Sequence, residues 1–121
     1  MKLMLIAAVV NGFLAVALGA FGAHGLEGKR TEQMFNPWEK AVKYQMFHTG
    51  ALFVTALLAM KANVSFNGAG WSFLIGIILF SGSLYIYSTT GLKAFAMITP
   101  LGGVAFLIGW VLLGLAVMKY F

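Results

Sequence analysis

Six side chains in this sequence could do chemistry together: His24, Tyr44, His48, Ser81, Ser83 and Thr99. Imidazole is a proton carrier near neutral pH and a common metal ligand. Two histidines at similar depth on different helices would also leave a bis-histidine haem open, and with it a membrane redox role. A protein zinc site normally takes three or four ligands from the chain. There is no cysteine here, and the long apolar stretches hold no Asp or Glu. No third ligand is available, so no metal site and no cofactor are expected. A serine nucleophile would need a histidine oriented by a carboxylate, and none is in reach. No catalytic residue is expected, and the chain reads as non-enzymatic. The six residues form a hypothetical ligand-binding cluster.

The elements that must hold them are set by composition. The chain has 121 residues, 61% of them hydrophobic and only 9% charged; soluble domains carry about 25% charged residues. Lys, Arg, Asp and Glu are absent from Leu3 to Leu26, Tyr44 to Met60, Ala62 to Leu92 and Ala94 to Met118. A transmembrane helix needs about 20 largely apolar residues. The fold class expected is therefore all-α, an integral membrane four-helix bundle. Residues 1–121 form a single transmembrane domain with helices at about 3–23, 37–60, 71–88 and 95–118 and a polar loop at 24–36. The basic region before the first helix is Lys2 alone, and the apolar run passes Ala15-Val16-Ala17 to reach Ala23. That favours a retained helix over a signal peptide.

Local signals refine these elements. In the first helix Ala8, Gly12, Ala15, Gly19 and Gly22 fall on one face, the kind of surface that lets helices approach in lipid; it should meet other helices or another subunit. Asn11, near mid-span, should face protein. Asn36, Pro37 and Glu39 read as the cap and first turn of the second helix. Trp38, Lys40, Lys43 and Tyr44 suit the membrane–water interface. Lys61 to Gly70 reads as a turn. Pro100 can bend the fourth helix, and Gly102 and Gly103 after it could admit a neighbour. No internal repeat is evident.

Four alternating passes bring the candidate residues to one half of the membrane, beside the long loop. His24 ends the first helix, and Tyr44, Gln45 and His48 open the embedded part of the second. Ser81, Ser83, Tyr85 and Tyr87 close the third, and Thr99 opens the fourth. Polar groups in hydrocarbon are costly unless paired, so Ala41, Tyr44, His48, Ala51 and Thr55 should mark the inward face of the second helix. His48, Tyr44, Ser81, Ser83 and Thr99 should form a hydrogen-bonded cluster. Two readings of it stand: interhelical bonds that hold the bundle, or a polar cavity for a ligand or lipid headgroup.

The net charge of +5 fits cations anchoring helix ends at headgroups; no basic stripe with interleaved aromatics lies outside the spans, and nucleic-acid binding is not expected. Lys29, Arg30, Lys40, Lys43 and Lys93 lie on the loop side, against Lys2, Lys61 and Lys119 on the side of the termini. The positive-inside rule then puts the long loop in the cytoplasm and both termini outside.

Several segments carry a family resemblance. They are Gly19-Ala20-Phe21-Gly22-Ala23-His24-Gly25-Leu26, Trp38, and Ala41-Val42-Lys43-Tyr44-Gln45-Met46-Phe47-His48. After these come Phe80-Ser81-Gly82-Ser83-Leu84-Tyr85, Thr99-Pro100-Leu101-Gly102-Gly103 and Gly109-Trp110. In this order they resemble the small bacterial inner-membrane proteins of the YwdK/YgdD type, a domain-of-unknown-function family with eukaryotic relatives. The resemblance implies four spans and a bacterial plasma-membrane location, and brings no activity and no catalytic residue. Three functions stay open. The first is a non-enzymatic homo-oligomeric or accessory protein that binds membrane lipids or a membrane protein partner. The second is a small-solute transporter or channel formed by an oligomer, and the third is a histidine-dependent haem or metal redox protein.

Overall fold

A computed structural model describes residues 1–23 and 32–121, with backbone only for residues 32–34. The helix α1 spans Lys2–Phe21 and α2 spans Glu32–Ala62. Then α3, Asn67–Gly76, passes through a π-helical segment, Ile77–Gly82, into α4, Ser83–Thr90. These three pieces make one rod of 24 residues. The last helix, α5, spans Lys93–Tyr120. There is no strand among the described residues, and α1, the 67–90 rod and α5 are each long and apolar enough to cross a membrane.

The helix ends follow from backbone chemistry. Asn63, at φ 57°, closes α2. Its N–H bonds Met60 O at 3.3 Å, and Val64 N–H reaches back to Ala59 O at 3.1 Å. This is the Schellman pattern, in which a left-handed residue satisfies the last free carbonyls. Gly91, at φ 72°, ends α4 with a 2.7 Å bond from its N–H to Tyr87 O.

Two boundaries differ from the sequence expectation. Residues 32–36 extend α2, so Asn36 does not cap it and Pro37 stands inside the helix. The 31-residue helix is about 46 Å long at 1.5 Å per residue, more than the roughly 30 Å of hydrocarbon. Residues 67–70 belong to α3 rather than to a turn. Their glycines serve packing. A Cβ on Gly68 would sit 3.3 Å from Leu112, and one on Gly70 would sit 2.8 Å from the Met4 sulfur.

The four rods pack in sequence: α1 on α2, α2 on the 67–90 rod, and that rod on α5, while the backbones of α2 and α5 stay apart and meet mainly through side chains. The small-residue face of α1 meets α2. Ala8 and Ala15 are buried there. Gly12 lies against Thr49, Gly19 against Val42, and Gly22 beneath the Trp38 indole.

The 67–90 rod and α5 interlock differently. Gly76 receives the ring of Phe106, Gly109 receives the ring of Phe73, and Gly102 lies against the backbone of Phe80. Glycine and phenylalanine thus alternate across the contact, each ring filling the notch opposite. α5 is a continuous helix through Pro100. Of the two glycines after it, only Gly102 admits a neighbour; Gly103 faces open space.

A methyl group at Gly102 would overlap Phe80 Cα, 2.7 Å from the new Cβ, and backbone cannot rotate away. Gly102→Ala should destabilise the bundle by about 1–3 kcal/mol, despite the roughly 0.5–1 kcal/mol that alanine gains over glycine within a helix. Gly103→Ala should hold or raise stability. Unfolding in mixed micelles with increasing denaturing detergent, followed by circular dichroism, measures both.

Candidate functional site

The polar interior is built on α2, which is flanked by α1 on one side and the 67–90 rod on the other. It therefore buries a broad stripe rather than a narrow one: Trp38, Ala41, Gln45, His48, Thr49, Leu52, Thr55, Ala56 and Ala59. Ala41, His48, Ala51 and Thr55 face inward as expected. Tyr44 does not; it is 39% exposed, its ring against Phe80 at 4.5 Å between centroids.

The longest connected unit crosses three helices. Tyr85 OH donates to Gln45 Oε1 at 2.7 Å, Gln45 Nε2 donates to Asn11 Oδ1 at 3.0 Å, and Asn11 Nδ2 donates to Ala7 O at 2.8 Å. Every donor points the same way, and the chain ends on a backbone carbonyl. Thr49 Oγ1 donates to Gln45 O at 2.6 Å. Above it, Trp38 Nε1 donates to Leu18 O at 2.9 Å, and its ring meets Tyr85 edge-on at 4.7 Å. Trp38 is thus buried against α1, not spread along the interface.

His48 forms a second unit. Its Nε2 is 3.1 Å from Trp110 Nε1, and its Nδ1 is 2.9 Å from Tyr44 O. An indole N–H can only donate, so Nε2 accepts, and Nδ1 carries the proton and donates to the carbonyl. This is one neutral tautomer, fixed from both ends. The ring lies flat on Phe106, 3.6 Å between centroids and 9° between planes. Phe47 and Phe73 approach its other sides. For His48 to ligate a metal or haem through Nε2, the Trp110 N–H would have to be displaced.

Hydroxyls supply the rest. Ser81, in the π-helical segment, donates to Ala41 O of α2 at 2.7 Å. Ser83 and Thr99 share a 2.6 Å bond between the rod and α5, and Ser83 also donates to Phe80 O at 2.9 Å. A π-helical turn widens the helix by one residue; here it holds Ser81 against α2 while Phe80 meets α5.

Of the candidate cluster, then, Ser83 and Thr99 meet each other directly. Ser81 bonds backbone of α2, and His48 bonds Trp110. Tyr44 contributes its carbonyl to His48 and its ring to the aromatic packing. His24 lies outside the described residues. The units that residue type alone did not single out are the Asn11–Gln45–Tyr85 chain and Trp110. Gln45 falls four residues after Ala41 on the buried stripe, which was the available signal. Trp110 is apolar by composition, and only the facing His48 reveals its donor role. Among the described residues no group of three His, Cys, Asp or Glu could hold a metal ion.

Beside the His48 unit, α2 and α5 diverge to leave an open groove of about 560 Å³. Its walls are Tyr44, Phe47, Phe106, Leu107 and Trp110, with Lys43 at the rim. A second groove, of about 650 Å³, lies between the end of α1 and the first turns of α2.

Bundle, apolar outer surface and paired polar interior define an all-α integral membrane protein. The chain belongs to the family described as protein of unknown function (DUF423), whose match covers residues 18–103. It is 50% identical to the UPF0382 membrane protein YwdK of Bacillus subtilis over 122 residues, covering 99% of each chain. It is 47% identical over 120 residues to a UPF0382 membrane protein of Staphylococcus aureus, covering 99% of this chain and 98% of that one. These relatives support a bacterial membrane location. No solved structure matches the chain.

Gln45 is bonded to α1 and to the 67–90 rod at once, so Gln45→Leu and Tyr85→Phe should not be additive. A double-mutant cycle on unfolding free energy should return a coupling between about 0.6 and 1.7 kcal/mol, the range found for interhelical bonds in membranes. Additive losses would show that the bond carries no stability.

Proposed function

We propose that this chain is a four-pass plasma-membrane protein that works by binding rather than by catalysis, holding membrane lipid or a membrane partner as a homo-oligomer or accessory subunit. One observation carries the reading. Among the described residues no buried side-chain nitrogen or oxygen lacks a hydrogen-bond partner. The polar interior is therefore satisfied by bonds between helices and to their own backbones, and in this reading the open surfaces are lateral grooves facing the bilayer.

Four crossings require α2 to span. Its uncharged stretch from Tyr44 to Met60 supports this. The polar residues that lower its apolarity, Gln45, His48, Thr49 and Thr55, are all buried against other helices, where lipid does not meet them. The small-residue face of α1 is already covered by α2, so an oligomer would use the outer faces. The excess of Lys and Arg on the loop side favours a cytoplasmic 24–36 segment and external termini.

The lack of native cysteine allows single thiols to report sidedness. Asn36→Cys and Ser65→Cys should react with a membrane-impermeant maleimide from opposite sides, Asn36→Cys from the cytoplasm only; labelling from the same side would remove the α2 crossing. Native mass spectrometry in mild detergent should show bound lipid, a second copy or a co-purified membrane protein. Monomers bare of all three would overturn the binding function.

A further inference from the structure

The groove between α2 and α5 combines three features. It lies where the backbones of α2 and α5 stay apart and the two helices meet chiefly through side chains such as His48, Phe106 and Trp110. Its lining is almost wholly apolar and aromatic, from Tyr44 and Phe47 on α2 to Leu107 and Trp110 on α5. Its rim carries one full positive charge, Lys43, which has no carboxylate partner among the described residues.

The walls are held rigid from behind. Trp110 is bonded to His48, and Phe106 is stacked on the same imidazole, so both aromatic sides are fixed by one buried ring. Gly103 leaves the floor open, since a Cβ there would meet nothing within 4 Å. A preformed groove loses little entropy on filling. Lys43 lies in the second turn after Trp38, and in the four-pass arrangement proposed above the first turns of this long helix stand at the headgroup level, where a lysine attracts anionic lipid. Tyr44 beside it adds a phenol, able to donate to an ester or phosphate oxygen.

We propose that this groove is a lateral binding site for one anionic phospholipid, with an acyl chain along Phe106, Leu107 and Trp110 and the phosphate at Lys43. Charge complementarity selects this occupant. Phosphatidylcholine also offers a phosphate, but its quaternary ammonium brings a second cation to the rim; a second copy of this chain would bring a net charge of +5, whereas an anionic phospholipid brings net negative charge to Lys43. The proposal rests on the binding function above and gives it a ligand class and a place.

The test is native mass spectrometry of the full chain in mild detergent with equimolar dioleoyl phosphatidylglycerol and dioleoyl phosphatidylcholine. The wild type should retain one phosphatidylglycerol in preference to phosphatidylcholine. Lys43→Gln should reduce that preference about fivefold, the worth of one basic residue at an anionic surface. Lys61→Gln, at the far end of α2, should leave it unchanged. Gly103→Leu should fill the groove and reduce retention of both lipids, with circular dichroism and melting temperature showing the bundle intact. Equal retention of the two lipids by the wild type, or an unchanged preference in Lys43→Gln, overturns the proposal. If Gly103→Leu is folded and still retains lipid, the groove site is wrong while the broader binding function stands. A second copy held without lipid likewise overturns the groove site and leaves the binding function standing. If no variant and no wild-type sample holds lipid or partner, both fall.

Discussion

Hydrocarbon offers no hydrogen bonds, so each polar side chain carried into it must find its partner on another helix or on its own backbone. In this protein that demand falls mostly on α2, whose middle turns carry Gln45, His48, Thr49 and Thr55, all buried. A helix so loaded cannot stand at the lipid boundary. It takes the position flanked by α1 and the 67–90 rod, and the others are arranged to serve it. Asn11 comes from α1, Ser81 and Tyr85 from the rod, and Trp110 from α5. The outer faces of α1 and α5 are left free to be uniformly apolar. The order of the rods is thus set by hydrogen bonding, although the bonds are individually modest.

Close packing does the work that burial from water does in a soluble core. Lipid tails are as apolar as leucine, and association depends on fit. The contact between the 67–90 rod and α5 obtains its fit by alternating glycine with phenylalanine, so that Phe73 and Phe106 enter notches on the opposing helix. The contact between α1 and α2 uses another device, a continuous small face on one helix against Trp38, Val42 and Thr49 on the other. The π-helical segment lies between the two systems and reconciles them, turning Ser81 to α2 and Phe80 to α5.

The helical architecture and the small face of α1 were legible in the sequence, because charge-free windows and the spacing of Ala8, Gly12, Ala15 and Gly19 are local properties. The inward stripe of α2 was legible in part. Periodicity selects one face, and α2 buries nearly two, which is why Gln45 was undervalued and Tyr44 overvalued. Gly68 and Gly70 read as turn residues because glycine marks both turns and close approaches, and only the facing Met4 and Leu112 tell the two apart. The bond from Trp110 to His48 spans 62 positions and leaves no local trace. Pro37 looked like a helix start by residue type, yet α2 begins five residues earlier.

The packing order has a consequence for how the protein is made. α1 packs along α2 and the 67–90 rod packs along α5, and each of these pairs consists of neighbours in the chain. Each can close as a hairpin as it leaves the insertion machinery, without waiting for distant segments. The pairs are joined by the packing of α2 on the 67–90 rod, with the bonds of Ser81 to Ala41 and Tyr85 to Gln45, and by that of Trp110 to His48. Until that joining, the buried polar groups of α2 are only half satisfied. Apart from the second pair, Gln45 Oε1 would lack its Tyr85 donor and His48 Nε2 its Trp110 donor, so it is the docking of the two pairs that completes the polar interior.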